Sequence, residues 1–68
     1  MTVEWRRRAD LTRAIAGTAA SLYTELKAKG QLIPNEDLLI AATSLECGYA
    51  LLTGNRAHFK RVPGLALA

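Results

Sequence analysis

The chain has 68 residues, which allows one domain at most, and a chain this short buries a smaller share of its surface than a larger one and is marginally stable alone. Half of the residues are hydrophobic, which excludes a disordered chain, but the aromatics are few: Trp5, Tyr23, Tyr49 and Phe59. The formal net charge of +3 mildly favours polyanions without establishing nucleic-acid binding. Cys47 stands alone, which excludes an intrachain disulfide and suits a reducing compartment. No apolar run approaches the ~18 residues that span a bilayer. No uninterrupted apolar stretch follows Arg6-Arg7-Arg8, because Asp10, Thr12 and Arg13 interrupt it, so no signal peptide is expected. The expectation is a cytoplasmic protein without a membrane partner. A core of Leu, Ile and Ala carries little area per residue and hints at a missing partner surface.

From about Val3 to Lys29 the sequence predicts one long helix. Leu11, Ile15, Ala19, Leu22 and Leu26 recur at three- and four-residue spacing and make one apolar stripe. Gly17 weakens the middle by roughly 1 kcal/mol relative to Ala. Lys27 and Lys29 suit the negative end of the helix dipole, and Gly30 fits the position just past a helix end. Arg6-Arg7-Arg8 sit awkwardly near a positive helix start, which leaves a later start open, with Asp10 as N-cap.

Gln31 to Pro34 reads as a connector, since Pro34 biases Ile33 toward extended geometry. Asn35 is expected to cap a second helix with Glu36 and Asp37 in its first turn, running to about Cys47 and stopping at Gly48. Leu38, Ile40, Ala41, Ala42 and Leu45 make it apolar over most of its circumference, which predicts burial on more than one side. Tyr49 to Thr53 lacks polar alternation and reads as a strand covered on both faces. Gly54-Asn55 breaks it, and Asn55 is placed to cap a single helical turn through Phe59 and Lys60. Val62-Pro63-Gly64 is a turn, and Leu65-Ala66-Leu67 a short terminal edge strand. The expected fold class is therefore α/β, with two main helices and two short parallel strands.

Asp37-Leu38-Leu39-Ile40-Ala41-Ala42-Thr43, then Leu52-Thr53-Gly54-Asn55 with His58-Phe59, then Val62-Pro63-Gly64-Leu65, resembles the C-terminal half of a PIN domain. The closest likeness is to the VapC-type toxins of bacterial toxin–antitoxin pairs. The resemblance runs from about Leu22 to Leu67, roughly two thirds of the chain, with residues 1–21 as a divergent N-terminal helix. It implies an endoribonuclease that uses Mg2+ or Mn2+ held by several acids at the carboxyl ends of parallel strands. By the resemblance, Asp37 matches the acid that opens the penultimate long helix and is the expected metal ligand and catalytic residue. Asn55 matches the fourth polar or acidic position, also catalytic, and Thr53 lies beside it.

The departures are as informative. The family begins with a strand ending in Asp followed closely by Ser or Thr, and no such strand is found. Its central glutamate has no match, since Glu4 lies in a Trp-Arg-Arg-Arg context that does not fit. The expectation is thus a truncated, PIN-like domain. Mg2+ is a hard ion held by one or two carboxylates plus substrate phosphates, and two-metal sites clamp both the attacking and leaving oxygens. With Asp37 alone, positioning and charge stabilisation are largely lost, and the chain by itself is expected to be weakly active or inactive.

Several residues have simpler readings. Asp37 also suits a helix start on dipole grounds alone, and Asn55 serves equally as a cap. His58, with no partner acid in view, is expected to be a structural or surface residue. Cys47 reads as an inert buried thiol. Arg56, Lys60 and Arg61, with Thr53, are the expected nucleic-acid contacts; Arg6 to Arg8 read as a solvated face. The stripe of Leu11, Ile15, Leu22 and Leu26 predicts a homodimer or higher oligomer. Two alternatives accompany the ribonuclease reading: a non-enzymatic module that dimerises or binds an antitoxin, and a small basic nucleic-acid binder.

Overall fold

The computed structural model describes residues 2–68, and side chains from residue 8 onward. Three helices follow in order: α1 (Thr2–Ala28), α2 (Asn35–Cys47) and the single turn α3 (Arg56–Phe59). The long first helix and the second helix have the predicted extents. Asp10 lies inside α1 and is not its cap. Gly17 does not interrupt the helix.

The end of α1 is built as expected. Gly30 adopts φ +67, its N–H donates to the Lys27 carbonyl (3.1 Å) and that of Gln31 to the Leu26 carbonyl (2.8 Å). This pair of backward bonds is the Schellman arrangement, and it satisfies two carbonyls the helix leaves open. Gly48 closes α2 in the same region of backbone space, φ +72, with Tyr49 N–H donating to the Ser44 carbonyl at 2.9 Å. At the start of α2 the expected cap is absent. Pro34 occupies the N-cap position, no side chain caps the turn, and the Pro34 carbonyl accepts from Leu38 N–H. Asn35 is already helical.

The α/β expectation is overturned. Among the described residues there is no strand and no sheet, and the two expected parallel strands reduce to one bridge between Leu51 and Leu67. Leu51 N–H donates to the Ala66 carbonyl and Ala68 N–H to the Leu51 carbonyl, each at 2.9 Å. The two segments run parallel, but parallel strands persist in sheets covered on both faces, and two strands alone are marginal in water. Here the outer face has no cover: Leu52 is 82% exposed and Tyr49 is exposed as well. The fold is helical.

The core lies where the second half of α1 meets α2 and α3. Leu22 and Leu26 pack with Ile33, Leu38, Ala41, Ala42, Phe59 and Val62. Ile15, Ala19, Leu45, Leu51, Leu65 and Leu67 close its edges. Ala41 and Ala42 are fully buried, so α1 and α2 approach closely at small side chains. The expected burial of α2 on several sides is corrected: Leu39 and Ile40 face outward on the side opposite Leu38, Ala41 and Ala42. Thr18 Oγ1 donates to Glu46 Oε2 at 2.7 Å and ties α1 to the end of α2.

Candidate functional site

Asp37 sits in the first turn of α2, where the exposed N–H groups favour a negative charge. The core residues Leu38 on α2 and Phe59 on α3 are buried together, and this packing sets α3 against the start of α2. The carboxylate does not point to bulk solvent: its side chain is 18% exposed. Its Oδ2 lies 2.9 Å from Nδ1 of His58, whose side chain is 32% exposed. The same nitrogen lies 2.8 Å from the Asn55 side-chain amide. Asp37 and Asn55, carried over separately from the resemblance, are thus brought together through one imidazole ring.

Local backbone explains how Asn55 arrives there. Its N–H donates to Thr53 Oγ1 at 3.0 Å, folding Thr53-Gly54-Asn55 into a tight turn. Its carbonyl accepts from His58 N–H at 3.2 Å, which opens α3. The helical turn is as expected, but the Asn55 side chain does not cap it. That side chain goes to the ring of His58, three residues on and so on the same face of the turn.

His58 is the residue that sequence reasoning missed. Of the expected structural or surface residue with no partner acid in view, the last part is corrected: Asp37 supplies that acid. The Asn55-x-x-His58 spacing was a usable signal for half of the cluster. The Asp37 half joins residues 21 apart, which no local pattern encodes.

The basic candidates divide. Arg56 Nη1 donates to the Ala68 carbonyl (2.8 Å) and Arg61 Nη1 to the Leu32 carbonyl (3.0 Å). Both guanidinium groups therefore tie chain segments together, which restricts how they meet a phosphate. Lys60 is exposed and makes no ion pair among the described residues. Thr53 is half-buried and already accepts a hydrogen bond. Cys47 is half-buried at the end of α2.

A divalent cation of the Mg2+ kind demands oxygen ligands. Asp37 offers a carboxylate oxygen beyond the one facing His58, so the donor chemistry fits one corner of such a site. Among the described residues, however, no group of three or more His, Cys, Asp or Glu side chains is placed to hold a metal ion. No described helix is long and apolar enough to cross a membrane.

No family model matches the chain, and no solved structure matches it significantly. Curated relatives do. It is 48% identical over 46 residues to Ribonuclease VapC2 of Rickettsia felis, a match covering 68% of this chain and 34% of that protein. It is 40% identical over 48 residues to Ribonuclease VapC1 of Methanocaldococcus jannaschii, covering 71% and 35%. Ribonuclease VapC1 of Rickettsia felis is 44% identical over 48 residues, covering 71% and 36%. These matches bear out the resemblance to PIN-domain sequences. Within that class the chain is a partial VapC-type domain, spanning about a third of the length of the curated relatives it matches.

Proposed function

We propose that this chain supplies one corner of a VapC-type, Mg2+- or Mn2+-dependent endoribonuclease site, with Asp37 as metal ligand and catalytic carboxylate and Asn55 as the second catalytic residue beside it. The observation that carries the reading is the Asp37–His58–Asn55 cluster, which joins the two residues that the resemblance selects. When bound, such an ion supplies charge stabilisation at a phosphodiester. The chain's own residues hold a carboxylate half-buried, orient it, and keep an amide beside it. Lys60 is the freest phosphate contact, with Thr53, Arg56 and Arg61 at the rim. Phosphate contacts of this kind position RNA without reading its sequence.

A single carboxylate leaves the ion poorly held and the attack poorly aligned. The chain alone is therefore expected to cleave RNA weakly or not at all. The test is incubation of purified chain with RNA and Mg2+, beside Asp37→Asn. Equal background from both supports the reading of an incomplete site. Robust Mg2+-dependent cleavage lost in Asp37→Asn overturns the inactivity, and equally robust Mg2+-dependent cleavage by that variant overturns both the inactivity and the role of Asp37.

A second reading, a module that captures an antitoxin or a second copy in the cytoplasm, is favoured by the exposed Leu11, Tyr23, Leu39 and Ile40. Tight partner binding without turnover distinguishes it. A basic nucleic-acid binder is less favoured, because Arg56 and Arg61 are held by backbone carbonyls. That reading requires RNA binding that falls steeply with salt and survives loss of Asp37.

A further inference from the structure

One ring nitrogen, Nδ1 of His58, faces two side chains at hydrogen-bond distance: Asp37 Oδ2 at 2.9 Å and the Asn55 amide at 2.8 Å. A neutral imidazole nitrogen carries either a proton or a lone pair, never both. A carboxylate oxygen only accepts. If Nδ1 held a lone pair, two acceptors, Nδ1 and Asp37 Oδ2, would face each other at 2.9 Å without a proton between them. A half-buried carboxylate without its donor is costly, so the proton belongs on Nδ1. Asn55 then must present an acceptor as well. Its amide oxygen and nitrogen occupy near-interchangeable places, and half a turn about the last side-chain bond brings the oxygen to the ring. All three groups are satisfied by this one arrangement: Nδ1–H is shared between Asp37 Oδ2 and Asn55 Oδ1.

We infer that His58 is a positioning residue for Asp37: fixed as the Nδ1–H tautomer, it clamps Oδ2 and leaves Oδ1 presented to a divalent cation. The inference rests on the proposed role of Asp37 as a metal ligand and extends it to a residue outside the set that the resemblance selects. The geometry supports a fixed clamp. Asp37 is on α2 and His58 on α3, and the buried Leu38 and Phe59 beside them hold both elements in one core. Asn55 holds the His58 backbone N–H through its carbonyl and meets the ring through its side chain. Partners that orient a ligating group in this way are worth roughly tenfold or more in metal affinity.

Two measurements on the chain as it stands test the inference. The first is the ring tautomer, read by long-range nitrogen–proton NMR correlation in metal-free protein at mildly alkaline pH. The expected result is Nδ1–H in the unmodified chain and a shift toward the mixture of a free ring in Asp37→Ala. The second is Mn2+ affinity, read from paramagnetic broadening of amides around Asp37. His58→Asn places a donor near the position of Nδ1, whereas His58→Gln places its amide near Nε2. The expectation is that His58→Gln and His58→Ala weaken Mn2+ binding roughly tenfold, while His58→Asn stays within about twofold of the parent. The Asn and Gln variants remove the same ring, so their contrast separates clamping from a general loss of packing. An Nε2–H ring in the parent, or equal Mn2+ binding by the Asn and Gln variants, overturns the inference alone. Unchanged binding in Asp37→Ala overturns the cation role of Asp37 and the inference with it, while the tautomer still reports whether His58 and Asp37 meet.

Discussion

The two ends of α1 differ sharply although they share one apolar stripe. Leu22 and Leu26 at the C-terminal end are buried among α2, α3 and the last residues, with Leu26 fully enclosed. Leu11, on the same stripe, is 41% exposed. The periodicity that makes the helix amphipathic is uniform, so the difference comes from what lies opposite. A helix of this length reaches about 40 Å, and a partner helix of 13 residues reaches only about half as far. Amphipathic pattern therefore states which face is to be buried, and the rest of the chain decides how much of it is. The largest effect expected along this contrast is at Leu26. Leu26→Ala should cost about 2–5 kcal/mol, the range for truncating a fully buried leucine. In a domain of marginal stability this removes the cooperative urea transition. A sloping but intact transition with an unchanged midpoint would break the distinction between the two ends.

The middle of the scale belongs to the corner that folds α2 back toward the bridge. At Gly48, φ is +72 and a β-carbon would meet nothing within 4 Å. Gly48→Ala therefore isolates the backbone cost of a left-handed residue, about 1–2 kcal/mol, visible as a lower urea midpoint with the same slope. A smaller loss is expected from Glu46→Ala, which removes the acceptor of Thr18 Oγ1. Both groups are exposed, so the expected effect is about 0.5 kcal/mol, and Thr18→Ala should add almost nothing on top of it. Additive losses in the double variant would mean that the two side chains do not act as a pair.

Local signals were sufficient wherever the determinant was local. The span of α1, the stop at Gly30 and the stop at Gly48 all follow from periodicity and from glycines that reach positive φ. Asn35 failed as a cap because Pro34, one residue earlier, already occupies the non-helical entry position with its carbonyl aimed into the helix. The strand at Tyr49 to Thr53 failed for a different reason. Its unbroken apolar character does describe doubly covered strands, but covering layers are a property of the whole fold, and Leu52 and Tyr49 have none here. The same limit governs the site. Asp37 was legible from its helix-start context and its resemblance, and Asn55 from its turn. His58 carries no such local signal for its acid, which only tertiary packing of α3 on α2 delivers.

The smallest folding effect is expected at Leu11, and it is also the most discriminating. Its side chain is partly in water already, so Leu11→Glu should change the unfolding free energy by no more than about 0.5 kcal/mol at low protein concentration. If the uncovered end of the stripe is where a second copy docks, the same substitution puts a charge into an apolar interface, where an unpaired charge is strongly disfavoured. The sedimentation mass at micromolar concentration should then fall from that of a dimer to that of one chain. A parent that already sediments as one chain removes the docking role and leaves Leu11 as an ordinary surface leucine. A Leu11→Glu variant that unfolds at every concentration would show instead that Leu11 and the buried end of α1 belong to one cooperative unit, and that the exposure of Leu11 understates what holds it.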